Sequence, residues 1–137
     1  MVSLAVFLGG LGFSFPASAQ GGETIEGLIP WAVHAHRYQD FGKNKIMCEV
    51  FGEVKNSGKK PLKSFTLHLE MLDEKGKTVS AEDLTLQLRV IETKNARGTL
   101  RAVQPGEFGN FIQDTANCPG NWQDGRIRYS ITAVQTE

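Results

Sequence analysis

His34 and His36 are the residues whose type and spacing most directly invite chemistry. On an extended strand, side chains two positions apart point the same way, so two imidazoles could share one zinc or copper ion. A third ligand would have to come from His68, Met47 or Met71, the thioethers suiting copper(I). Two ligands make a thin motif, and two solvent-facing histidines on an edge strand satisfy the same pattern. The reading adopted is therefore no metal site and no cofactor. A periplasmic zinc- or copper-binding protein using His34 and His36 stands as the alternative.

Other constellations have plainer readings. Glu49 and Glu53 share a strand face, where paired carboxylates could serve glycoside hydrolysis, but alternating Glu and Lys is also how a solvated sheet face looks. No GxSxG turn is present. Lys55, Lys59, Lys60 and Lys63 form a small basic stretch of the kind that protects a sheet edge. Trp31, Phe51 and Trp122 could build an exposed aromatic patch for a carbohydrate or protein partner, or close the ends of a core. With no catalytic signature in view, no catalytic residue is assigned and the chain is read as a non-enzyme.

The elements that must carry these residues are strands. Residues 45–77 are the stretch around which the rest is organised. Ile46, Cys48, Val50 and Val54 alternate with Met47, Glu49, Phe51, Glu53 and Lys55. Phe65, Leu67, Leu69 and Met71 alternate with Ser64, Thr66, His68 and Glu70. This period of two marks half-buried strands, and the two are read as a hairpin joined by the polar residues 56–61. Gly52 on the inward parity predicts a bulge or a close backbone approach. Residues 73–76 (Asp-Glu-Lys-Gly) predict a turn, as do residues 104–107 (Gln-Pro-Gly-Glu), a type II turn.

Further strands follow from the same alternation. Residues 28–38 form one, with Trp31, Val33 and Ala35 on one face and His34, His36 and Tyr38 on the other. Residues 77–80 could begin a short strand, and residues 81–83 read as a break before a strand carrying Leu84, Leu86, Leu88 and Val90. Residues 93–98 read as a loop and residues 100–103 are ambiguous. Residues 108–113 form a strand, and residues 117–125 a turn-rich loop. A last strand over 126–134 turns Ile127, Tyr129, Ile131 and Ala133 inward. About seven short strands without a helix or internal repeat predict an all-β, antiparallel sandwich.

The 137 residues fit one domain. Residues 1–19 are uncharged and largely apolar, end in Ala17-Ser18-Ala19, and read as a secretory signal cleaved after Ala19, although the usual basic n-region is missing. The run is too short and too Gly-rich for a standard membrane span. Residues 20–27 then form a loose N-terminal segment and residues 28–137 the folded domain, periplasmic or secreted, with no integral membrane segment. In an oxidising compartment the two cysteines, Cys48 and Cys118, are best read as one disulfide, two buried free thiols being the competing reading. Lys plus Arg equals Asp plus Glu, 15 each, which argues against nucleic acid as a partner.

One resemblance adds to this. Residues 51–58 (FGEVKNSG), Pro61-Leu62, residues 71–77 (MLDEKGK) and Pro105-Gly106-Glu107-Phe108 with Phe111 resemble the pattern of the FxLYD-type family over roughly residues 45–114. Those are small extracytoplasmic bacterial domains, and the resemblance implies an immunoglobulin-like β-sandwich. Leu72 stands where the family has tyrosine. The shared positions are turns and core, so no catalytic residue is implied. The expectation is an exported, non-enzymatic module that binds or scaffolds another extracytoplasmic protein.

Overall fold

The alternating stretches are realised as strands in the computed structural model of the protein, which describes residues 19–20, 27–92 and 95–137. The strands are β1 (Ala19–Gln20), β2 (Leu28–Asp40), β3 (Lys45–Asn56), β4 (Leu62–Leu72), β5 (Thr78–Gln87), β6 (Val90–Glu92), β7 (Asn95–Thr99), β8 (Phe108–Asp114) and β9 (Ile127–Thr136). The six longest build two antiparallel three-stranded sheets, β2-β3-β8 and β9-β4-β5. Their apolar faces share one core, in which Phe65 of β4 meets Phe111 of β8 edge to face at 5.2 Å. The arrangement is all-β and consistent with a β-sandwich. Among the described residues no helix is long and apolar enough to cross a membrane.

The two organising strands are central, but they are not a hairpin. β3 is the middle strand of one sheet and β4 the middle strand of the other, so the two face each other across the core. Each has one apolar face, and stacking lets each cover the other. Side-by-side pairing would leave both faces needing a further layer. The crossing is held by Asn56, which is buried. Its side-chain amide donates to Lys60 O at 2.9 Å and Val103 O at 2.7 Å, and its Oδ1 accepts from Gly58 N at 2.9 Å. Asn56 thus fixes the connection through its side chain.

Other expectations are corrected by register. Residues 81–83 do not break a strand: β5 runs unbroken against β4, pairing Ala81, Glu82 and Asp83 with Glu70, Leu69 and His68. β5 is an edge strand, where polar residues are tolerated. Glu82 lies on the inward parity and accepts from Ala116 N and Asn117 N at 2.9 and 3.3 Å, tying the edge to the opposite sheet's loop. Residues 95–98 belong to β7, which pairs with β6 and makes a small hairpin of the expected loop. Residues 93–94 lie outside the described residues.

The turns behave as read. Asp73 Oδ1 accepts from Lys75 N and Lys77 N at 2.9 Å, which holds its carboxyl below the usual range. Gly76 and Gly106 both take positive φ. Of the expected signal and loose segments, residues 1–18 and 21–26 lie outside the described residues. Ala19 and Gln20, on either side of the expected cleavage point, pair in parallel with Ile127 and Arg128.

The cysteines are joined. Cys48 and Cys118 have Cα atoms 5.4 Å apart, pinning the loop before β9 to the middle of β3. Closing a loop of 70 residues contributes roughly 4 kcal/mol in the chain-entropy model. Arg37 fastens the same loop, donating to Pro119 O at 2.8 Å, Gly120 O at 3.3 Å and Trp122 O at 2.6 Å.

Candidate functional site

The outward face of β2-β3-β8 gathers most of the residues singled out from the sequence. Its rungs follow from the register. Ile29, Lys55 and Phe108 form one, Ala32, Glu53 and Asn110 the next, then His34, Phe51 and Ile112, then His36, Glu49 and Asp114, and finally Tyr38 beside Met47.

A bulge shapes one end of this face. The register steps from Pro30↔Val54 to Ala32↔Glu53, leaving Trp31 as the extra residue. The step needs glycine opposite. A Cβ on Gly52 would collide with the Ala32 carbonyl and approach Phe111 Cζ to 2.9 Å. A bulge reverses the parity of a strand, so Trp31 is turned outward and is 65 % exposed, while Leu28, Val33 and Ala35 stay buried. The expectation that Trp31 shares a face with Val33 and Ala35 is corrected on this ground. Pro30 and Gly52 were both visible in the sequence; in the register they flank the bulge, opposite Val54 and Val33.

Trp31 packs edge to face on Phe108, with centroids 5.5 Å apart, and Lys55 Nζ lies 5.8 Å from the Phe108 ring. Phe51 lies under both histidines, 5.6 Å from His34 and 4.9 Å from His36. Trp122 is not part of this patch. It is buried, donates from Nε1 to Arg126 O at 2.7 Å, and carries Arg37 over its ring at 5.1 Å.

The histidine pair does share the outer face, as expected of i and i+2. His36 Nε2 and Glu49 Oε1 are 2.7 Å apart. Met47 lies on the same face opposite Tyr38. His68 and Met71 are on β4 of the other sheet, and Met71 is in the core, so neither is brought to the pair. Among the described residues no three His, Cys, Asp or Glu side chains are grouped to hold a metal ion. Farther along, the Tyr38 hydroxyl donates to Asp114 Oδ1 at 2.7 Å, and this bond to a carboxylate pushes the phenol up to about 12. Glu53 and the Asn110 carboxamide have no hydrogen-bond or ion-pair partner among the described residues.

The opposite sheet presents a different outer surface. His68 Nδ1 meets Asp83 Oδ1 at 2.8 Å and His68 Nε2 meets Glu70 Oε2 at 3.3 Å, while Arg128 Nη1 and Thr78 Oγ1 reach Glu70 Oε1 at 3.0 and 2.8 Å. The bond to Asp83 raises the imidazole of His68 above its usual value, and the Thr78 hydroxyl, followed by Arg128 and His68, lowers Glu70.

No protein-family model matches the chain, and no curated protein or solved structure is similar enough to count as a match.

Proposed function

We propose that the chain is an exported, non-enzymatic, immunoglobulin-like module that binds or scaffolds another extracytoplasmic protein, and that it does so through the outer face of β2-β3-β8. One observation carries this reading. Ile29, Trp31, Phe108 and Ile112 are 42, 65, 38 and 59 % exposed and all stand on that face. Trp31 and Phe108 are in ring contact, Ile29 lies on the rung of Phe108 and Ile112 two rungs along, and exposed large apolar side chains gathered on one face are a usual mark of an interaction site. The resemblance to the FxLYD-type family supports an immunoglobulin-like fold. The disulfide and the signal-like residues 1–19 support a periplasmic or secreted location.

The test is affinity capture from the extracytoplasmic fraction of the exporting cell, with wild type and with the double variant Trp31→Ala/Ile112→Ser as bait. Both side chains are largely exposed, so the variant should stay folded, with a loss of about 0.5–1.5 kcal/mol from the Trp31–Phe108 ring contact. A protein retained by wild type at near-equal molar amount and lost by the variant is the expected result. Equal capture by both baits would remove this face from the reading.

A further inference from the structure

Resting on that protein-binding reading, we propose that the partner surface is basic: a polypeptide segment with apolar side chains and an arginine whose guanidinium lies on Trp31 and pairs with Glu53. The argument begins with charge. The outward positions of β2-β3-β8 hold four carboxylates, Asp40, Glu49, Glu53 and Asp114, against two ammonium groups, Lys45 and Lys55, and the exposed Arg89, bridged to Asn110, brings a third positive charge to the edge of the same face. The remaining negative charge, with Glu53 placed among the exposed apolar residues, is complementary to a partner that brings positive charge there.

Most of these groups are already engaged. Glu49 holds His36, Asp114 accepts from Tyr38, Asp40 Oδ1 accepts from Lys43 N at 3.1 Å, and Lys55 lies over Phe108. Glu53 is the carboxylate of this face left without a partner among the described residues. It stands directly across from Ala32, the residue after Trp31 in the bulge. The fold therefore sets an open carboxylate beside the most exposed indole of the chain, and Gly52 is what permits that placement.

An indole and a carboxylate together suit one side chain above others. Arginine stacks its planar guanidinium on an aromatic face while presenting paired donors to a carboxylate. A second copy of this chain would bring the same negative excess to the interface and is disfavoured by it. A saccharide would engage Trp31 but would make little use of Ile29 and Ile112. An acidic partner would be repelled.

The test uses the full chain and two fluorescein-labelled peptides. One alternates leucine and arginine; the other carries neutral citrulline in place of each arginine. Anisotropy titrations should show the arginine peptide binding and the citrulline peptide about tenfold or more weaker, the difference shrinking as salt is raised. Trp31→Ala and Glu53→Gln should each weaken the arginine peptide by about fivefold or more, while Asp83→Asn on the opposite sheet leaves it unchanged. Equal binding of the two peptides, indifference to Glu53→Gln, or no binding of the arginine peptide overturns the proposal. If the capture experiment above still depends on Trp31 and Ile112, a protein partner of other chemistry remains. Self-association seen by sedimentation and lost in Trp31→Ala overturns it in favour of a second copy. If neither peptide binds and capture shows no dependence on this face, the protein-binding reading falls too.

Discussion

The outer faces of the two sheets are built from the same kind of strand and are finished differently. On β9-β4-β5 the outward polar groups answer one another across neighbouring strands: Thr66 with Thr85, His68 with Asp83, Glu70 with Arg128. Cross-strand pairs of this kind stabilise a sheet that faces water. On β2-β3-β8 the carboxylates of Glu49 and Asp114 are engaged at one end, while Trp31, Ile112 and Glu53 are left open toward the other. Both faces cover the same core, so folding alone does not require the difference. A face that completes its own bonds needs only solvent; one that leaves an indole, two isoleucines and a carboxylate open is the one on which the proposed partner would rest.

The disulfide is the strongest way to break the comparison, because it is fixed on one side to the middle of the open-faced sheet. Removing it with Cys48→Ser/Cys118→Ser should cost about 2–5 kcal/mol in urea denaturation. The loop that precedes β9 would then be held by Arg37 and Glu82, by the backbone bonds of Thr115 N to Cys48 O and Gln123 N to Leu72 O, and by the buried Trp122. A loss well under 1 kcal/mol would mean that those contacts suffice and that the bond adds little to the native fold.

Gly52→Ala comes next and acts at the bulge, from the core side of the open-faced sheet. The new methyl group would meet the Ala32 carbonyl and Phe111, so β2 must shift against β3 or Phe111 must move. Overpacking of this kind costs about 1–3 kcal/mol. The useful readout is two-fold: the variant should lose stability and also lose whatever depends on Trp31, because the bulge that turns the indole outward has lost its room. Full stability with unchanged partner binding would show that the bulge does not need glycine.

These positions also show what a single sequence can and cannot convey. Alternation identified the buried face of β3 and of β4, and Cys48 on the inward parity of β3, because parity follows from side-chain chemistry. It could not say that the two strands stack, since the partner along a strand's edge is chosen by backbone groups that every residue has. Residues 81–83 looked like a break because an edge strand with one neighbour can carry polar residues at every position. Trp31 was placed on the wrong face because one inserted residue reverses parity, and the insertion only becomes visible once the register of β2 against β3 is known. Of the candidate site, His34, His36, Phe51 and Trp31 proved to share one surface. Trp122 did not, because its indole N–H is satisfied inside by Arg126 O and Arg37 stacks on its ring. The role of Glu53 had no sequence signature, because it lies in what surrounding groups fail to contact.

The smallest expected effect lies on the closed face and tests whether its network does more than cover the sheet. His68 is raised in the folded protein, first by its bond to Asp83, so its contribution should be fully present below its ordinary value of 6.5 and lost as pH rises through the raised folded value. Glu70 is lowered, first by the Thr78 hydroxyl and then by Arg128 and His68, so its contribution should be present above 4.5 and lost as pH falls through the depressed folded value. Between those two ordinary values both contributions act together. These side chains are partly exposed and screened by solvent, so each pair is worth about 1 kcal/mol or less. His68→Gln should therefore destabilise the protein by at most about that amount near pH 5.5, with the difference shrinking in alkali and in salt. Urea denaturation across pH 5 to about 9 reads this directly. A difference that stays flat over the whole range would mean that His68 contributes only its packing against the strand, and that the two faces differ in apolar exposure but not in how their charges are joined.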